Sequence, residues 1–83
     1  MSLTARQQKA LVAVSHLTQN HEEGISLKIL AERVNMTLPA TSVLVESMVR
    51  NGILVREASV DDRRAVCIKL SPFGKKLFQN ICA

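Results

Sequence analysis

The chain has 83 residues, of which 47% are hydrophobic and only 2% aromatic, with eleven Lys and Arg against seven Asp and Glu. This length predicts one domain, spanning residues 3–83, with a modest core, since so short a chain buries only about 60% of its unfolded surface. The absence of Trp and Tyr, with Phe73 and Phe78 in a segment that resembles core, argues against stacking on single-stranded nucleic acid. The formal charge of +4 suits a polyanionic partner, but it also suits an ordinary hydrated surface.

The same composition predicts no cofactor, metal ion or catalytic centre. His16 and His21 have no carboxylate or thiol at ligand spacing, so the chain is not expected to be an enzyme. Cys67 and Cys82 are isolated, which favours inert thiols over an oxidant sensor. No apolar run approaches the roughly 20 residues of a membrane span. We therefore expect a reduced, cytoplasmic protein with no membrane segment.

Two amphipathic helices are predicted first. Apolar residues at spacings of three and four place a helix from Thr4 to about Gln19, capped by Thr4 or Ser2. A short bridging strand is expected around Ile25. A second helix of about two turns then begins at the cap Ser26 and ends before Asn35.

A third helix follows after only three or four residues, which is the spacing of a helix-turn-helix. Thr37 is a suitable cap and Pro39 fits the first turn, where its missing N–H costs nothing. The helix is expected over residues 38–51, ending at Gly52. If its inner face is Thr41, Leu44, Val45 and Met48, its outward residues are Leu38, Pro39, Ala40, Ser42, Val43 and Glu46.

The remainder of the sequence predicts a β-hairpin and a last helix. Strands are expected at "ILVRE" and "AVCIKL", joined by a polar connection from Ala58 to Arg64. Ser71 and Pro72 supply a cap and a first-turn residue for the final helix. Its apolar stripe is predicted to be Phe73, Leu77, Phe78 and Ile81. The order predicts a mainly α fold with a small β-hairpin: a winged helix-turn-helix with a three-helix core, a wing at about 53–70 and a C-terminal helix.

Three segments resemble the DNA-binding lobe of the multiple antibiotic resistance regulator (MarR) family of transcription factors. These are "LTARQQKALVAV", "LKILAERVNMTLPATSVLVESMVRNGILVRE" and "DDRRAVCIKLSPFGKKL", which together cover Leu3 to Leu77. The resemblance implies that Arg64 reaches from the wing into the minor groove and that Asp62 orients its guanidinium. The alternative is a solvated turn with local ion pairs, each worth about 0 to 1 kcal/mol.

The resemblance also implies that the third helix lies in the major groove of double-stranded DNA and that the chain is a transcriptional regulator, by analogy a repressor. Ser42 can then bond a base or phosphate, Leu38, Ala40 or Val43 can touch thymine methyl groups, and Glu46 either accepts from cytosine or repels the backbone. Candidate contacts to the DNA backbone are Thr37, Lys28, Arg33, Arg50, Arg56 and Arg63. Each of these charges can equally be an ordinary exposed one.

The outward face of the third helix departs from the family pattern, since it has no Lys or Arg before Arg50. The second hypothesis is therefore a winged-helix protein-interaction module with weak or no base-specific DNA binding. Family members carry further helices that form a dimer and a ligand crevice. We expect either an excised or minimal domain, or a homodimer through the first and last helices; no small-molecule effector can be assigned.

Overall fold

The computed structural model describes residues 3–58 and 66–82, and it confirms the predicted winged helix-turn-helix architecture. A three-stranded antiparallel sheet in the order β1-β3-β2 accompanies four helices. In chain order the elements are α1 (Ala5–Thr18), β1 (Ile25–Ser26), α2 (Leu27–Val34), α3 (Leu38–Arg50), β2 (Leu54–Ala58), β3 (Val66–Leu70) and α4 (Pro72–Cys82).

The helices begin at the caps that the sequence predicts. Thr4 forms a capping box with Gln7, in which Thr4 Oγ1 accepts from the Gln7 N–H at 3.1 Å and Gln7 Oε1 accepts from the Thr4 N–H at 2.9 Å. Ser26 Oγ accepts from the N–H of Ile29 at 3.2 Å. These bonds satisfy amide donors that have no partner within the helix.

One aliphatic core joins α1, the helix-turn-helix and the sheet. Its members are fully or almost fully buried, in keeping with a sequence that offers branched aliphatic side chains rather than rings. The core consists of Ala10, Leu11, Ala13, Val14, Ile25, Leu30, Val34, Val45, Met48, Ile53, Leu54, Ile68 and Leu70.

The first strand of the hairpin, β2, begins and ends one residue later than its sequence pattern predicted. The predicted connection began at Ala58, but Ala58 is the last residue of β2 and pairs with Val66 of β3. The backbone ladder therefore extends beyond the core. Val66, which lies on the same face of β3 as the buried Ile68 and Leu70, is 48% exposed for this reason.

The short strand β1 completes the sheet on the other side of β3, where Ile25 pairs with Ile68. Both side chains are buried in the core, at 2% and 1% exposure. β1 therefore ties the entrance of the helix-turn-helix to the wing. The orientation of the hairpin relative to α2 and α3 is set by this pairing.

The predicted apolar stripe of α4 is only half correct. Leu77 and Phe78 pack against the core, but Phe73 is 43% exposed and Ile81 is 36% exposed. The expectation that Phe73 lies in the core is wrong, because the face of α4 that packs on the core holds Gly74, Leu77 and Phe78.

Candidate nucleic-acid interface

The turn between α2 and α3 is short and fixed by its own backbone bonds. Asn35 adopts a left-handed conformation, φ 57° and ψ 49°, and its N–H reaches the carbonyls of Ala31 and Glu32. The N–H of Met36 donates to the Ala31 carbonyl at 3.0 Å. Asparagine tolerates this conformation better than most residues. The chain therefore passes from α2 to α3 within residues 35–37.

Thr37 starts α3 and also holds its first turn. Its Oγ1 accepts from the N–H of Ala40 at 3.3 Å, and its carbonyl accepts from both the N–H and the hydroxyl of Thr41, the latter at 2.8 Å. Pro39 occupies the first turn, as predicted. These bonds thus fix the conformation of the chain where the turn ends and α3 begins.

One face of α3 is buried and the other is open. Thr41, Val45 and Met48 are between 0% and 1% exposed and pack into the core. The opposite face carries the six predicted outward residues, of which five are exposed and one is half-buried. Among its aliphatic residues, Val43 is 67% exposed and Leu38 is 47% exposed.

The open face of α3 has an unusual charge for a nucleic-acid interface. No Lys or Arg occurs from Thr37 to Val49, and the charged residue on this face is the exposed Glu46. Arg50 follows at the last helical position and is exposed. The helix therefore presents an apolar N-terminal half, then a carboxylate, and then a guanidinium.

A cleft of about 180 Å³ joins α3 to the wing. Ser42 and Arg56 both line it, so the structure brings together one predicted recognition residue and one predicted phosphate contact. The other wall includes the exposed Val66, whose side chain was not identified as part of any surface from the sequence. Val66 lies there because of the register of the hairpin, and the sequence pattern of β3 alone does not predict this position.

The other predicted phosphate contacts do not form one cluster. Lys28 is exposed at the second position of α2. Arg33 lies instead beside α1, where with Lys9 and His16 it lines a separate groove of about 420 Å³. Arg33 and Arg56 thus line two different grooves and do not form a single patch.

The predicted wing contacts Asp62, Arg63 and Arg64 lie outside the described residues. Within residues 3–58 and 66–82, the salt bridge formed is Lys69 Nζ to Glu57 Oε2 at 3.0 Å, across the hairpin ladder. Both side chains are at least one-third exposed, so this pair stabilises the wing by about 1 kcal/mol at most.

The described residues give no sign of a metal centre or a catalytic cluster. Among them, no group of three or more His, Cys, Asp or Glu residues is arranged to hold an ion. The ring of His16 packs edge-on against Phe78, with centroids 5.9 Å apart. In the same residues, no helix is both long and apolar enough to cross a membrane.

A short turn between two helices, a hairpin that projects past the core and a helix that closes the fold define a winged helix-turn-helix protein. The MarR family model matches residues 3–66. The chain belongs to the MarR family, which confirms the resemblance seen in its sequence. Members of this family are DNA-binding transcriptional regulators and not enzymes.

Comparison with individual proteins agrees with this family. An uncharacterized HTH-type transcriptional regulator of Bacillus subtilis, YfiV, is 27% identical over 62 residues, which are 75% of this chain and 39% of YfiV. The transcriptional regulator BldR from Sulfolobus solfataricus superposes with a TM-score of 0.80 at 28% identity, over 96% of this chain and 53% of BldR.

S. aureus MepR, in its DNA complex, superposes with a TM-score of 0.83 at 24% identity, over 96% of this chain and 62% of MepR. At this identity the likeness establishes the fold alone. The chain spans less than two thirds of the length of each of these relatives.

Proposed function

We propose that this chain is the DNA-binding lobe of a transcriptional regulator, acting as a repressor, that binds double-stranded DNA in a sequence-specific manner. In this proposal α3 lies in the major groove and Arg64 of the wing enters the minor groove, with Asp62 holding its guanidinium. The supporting observation is the open face of α3, which begins at a fixed cap and stands clear of the core. A helix presented in this way can enter a groove without unfolding any contact.

The electrostatics of the chain support the same proposal. The formal charge is +4, and exposed cations lie on α3 itself and on the two elements α2 and β2 that contact it: Lys28, Arg50 and Arg56. In narrow stretches of the minor groove the negative potential is enhanced, which attracts an arginine. Phosphate contacts then position the lobe while α3 contacts the bases.

A salt titration of duplex binding tests this function. We expect the affinity of a labelled mixed-sequence duplex, measured by fluorescence anisotropy, to fall steeply with salt, with a gradient of about −0.9 per phosphate neutralised. Arg64→Ala should weaken binding about tenfold, the loss of one charge-assisted contact of about 1.5 kcal/mol. Lys76→Ala, which removes an exposed cation from α4, is the matched control and should bind like the parent. No binding at low salt would refute the proposal.

The second candidate function is a winged-helix module that binds another protein. The observation that favours it is the apolar N-terminal half of α3, with Val43 67% exposed and no cation beside it. A partner held by apolar contact would show little dependence on salt. The same titration therefore separates the two functions.

Dimerisation through α1 and α4 is also proposed. The exposed side chains of Phe73 and Ile81 support it, since they form apolar surface on α4 that the described residues do not cover. A two-fold dimer would place two copies of α3 about 34 Å apart, matching half-sites one helical turn apart. Sedimentation equilibrium of the parent and of Phe73→Ser tests it, with a weaker dimer expected for the variant.

A further inference from the structure

We infer that α3 recognises thymine methyl groups, so that the preferred duplex carries thymines where Val43 and the first turn of α3 meet the major groove. This inference rests on the proposed DNA binding and names the chemical group on DNA that the same face of α3 recognises. The supporting observation is that this face has exposed aliphatic side chains and a carboxylate but no cation.

The exposed aliphatic groups form one connected ridge. Pro39 and Val43 are separated by four residues and Val43 and Glu46 by three, so these side chains lie above one another on the helix surface. Leu38 and Ala40 flank the ridge in the first turn, and both are exposed. At about 1.5 Å per residue, the ridge from Leu38 to Val43 covers about 7.5 Å, or about two base-pair steps.

The electrostatics determine what this ridge can face in a DNA complex. Glu46 is exposed on the same stripe, and its carboxylate would repel phosphates if the ridge lay along a strand backbone. With Lys and Arg absent from Thr37 to Val49, nothing on this stripe offsets that repulsion. The ridge is therefore directed at the floor of the groove, where Glu46 can accept from a cytosine amino group.

The floor of the major groove offers one apolar group that matches such a ridge. Of the four bases, only thymine presents a methyl group there, and the other edges present donors or acceptors that Val43 cannot pair. Placing an aliphatic side chain on those edges would desolvate them without a hydrogen bond, at a cost in affinity. Thymine is thus the base whose contact with Val43 is favourable.

Removal of the methyl groups from the DNA tests the inference directly. A duplex recovered by repeated selection from a random library is remade with uracil in place of thymine, which keeps base pairing and phosphate charge and removes only the methyl group. We expect parental binding to weaken about fourfold per contacted methyl, the value for burying one such group. Val43→Ala, a substitution at an exposed position, should lose less affinity than the parent when uracil replaces thymine.

Val12→Ala is the control variant, since this half-buried valine lies on α1, away from α3, and its response to uracil should equal the parent's. Salt-dependent binding that is indifferent to uracil would overturn the thymine inference and leave the proposed function standing. An equal loss in the parent and in Val43→Ala would also overturn it, because the effect would then belong to the DNA itself. Absence of salt-dependent duplex binding would refute the proposed function, and the inference with it.

Discussion

The hydroxyl of Ser71 joins three elements of the fold, and its removal should destabilise the whole lobe. Ser71 Oγ accepts from the N–H of Gly74 at 2.9 Å, which caps α4. The same oxygen lies 3.0 Å from the carbonyl of Ile53, at the base of the wing, and also contacts the carbonyl of Gly52, just after α3. Ser71 is only 8% exposed, and its bonds to Ile53 and Gly74 are buried, so water cannot replace these two bonds without rearrangement.

The magnitude of Ser71→Ala follows from which groups lose a partner. The Ile53 carbonyl still accepts from the backbone N–H of Ser71 at 3.0 Å, so it remains paired. Gly52 is exposed, so water can bond to its carbonyl. The buried N–H of Gly74 loses its acceptor, and an unsatisfied buried donor costs about 1 to 3 kcal/mol. We therefore expect a loss of about 2 kcal/mol in the free energy of unfolding, and a melting temperature lower by about 8 to 16 °C for a domain of this size.

Urea denaturation followed by circular dichroism measures this loss, with Ser26→Ala as the matched control. Ser26 caps α2 through one bond to Ile29 in an exposed location, where water can take over the amide, so its cost should be about 0.5 to 1 kcal/mol. If Ser71→Ala is no more destabilising than Ser26→Ala, the reasoning from buried hydrogen bonds is wrong.

Further substitutions test other features of the fold and the site. Gly74→Ala should destabilise by about 1 to 3 kcal/mol in the same urea assay, because the added Cβ would lie 2.2 Å from the Ile53 carbonyl oxygen; a gain in stability, usual for Ala in a helix, would refute the close approach. Asn35→Ala should cost about 1 kcal/mol and Asn35→Gly much less, since φ at this position is 57°; equal costs would contradict a backbone origin. Glu46→Gln should raise affinity for random-sequence duplex in the anisotropy assay by removing phosphate repulsion, and unchanged affinity would place Glu46 away from the DNA.

The helix boundaries were predictable from sequence because they depend on local chemistry. Thr37 bonds an amide three residues ahead, and Asn35 adopts a conformation that its own side-chain type favours. Such signals need no knowledge of the rest of the chain. The outward face of α3 was equally predictable, because helical periodicity separates Val43 from Val45 once a single face is assigned to the core.

Features that depend on several elements together were not predictable in the same way. Phe73 has the spacing of a core residue, yet it is exposed because α4 places Gly74 and Phe78 against the core instead. Ser71 was identified as a helix cap, but its contact with the end of α3 depends on where the hairpin returns the chain. The separation of Arg33 from Arg56 likewise follows from the packing of α2 against α1.

The phosphate contacts and the base contacts of the proposed interface contribute to affinity in different ways, and the dependence of affinity on salt distinguishes them. Affinity that comes from phosphate contacts declines as counterions compete, whereas contact between Val43 and a base methyl group displaces no counterion. α3 contributes one cation, Arg50, at its last helical position. Substitution of Val43 should therefore shift the logarithm of affinity equally at every salt concentration. Arg56 lines the cleft between α3 and the wing. Arg56→Ala should instead make the slope of log affinity against log salt shallower by about one unit.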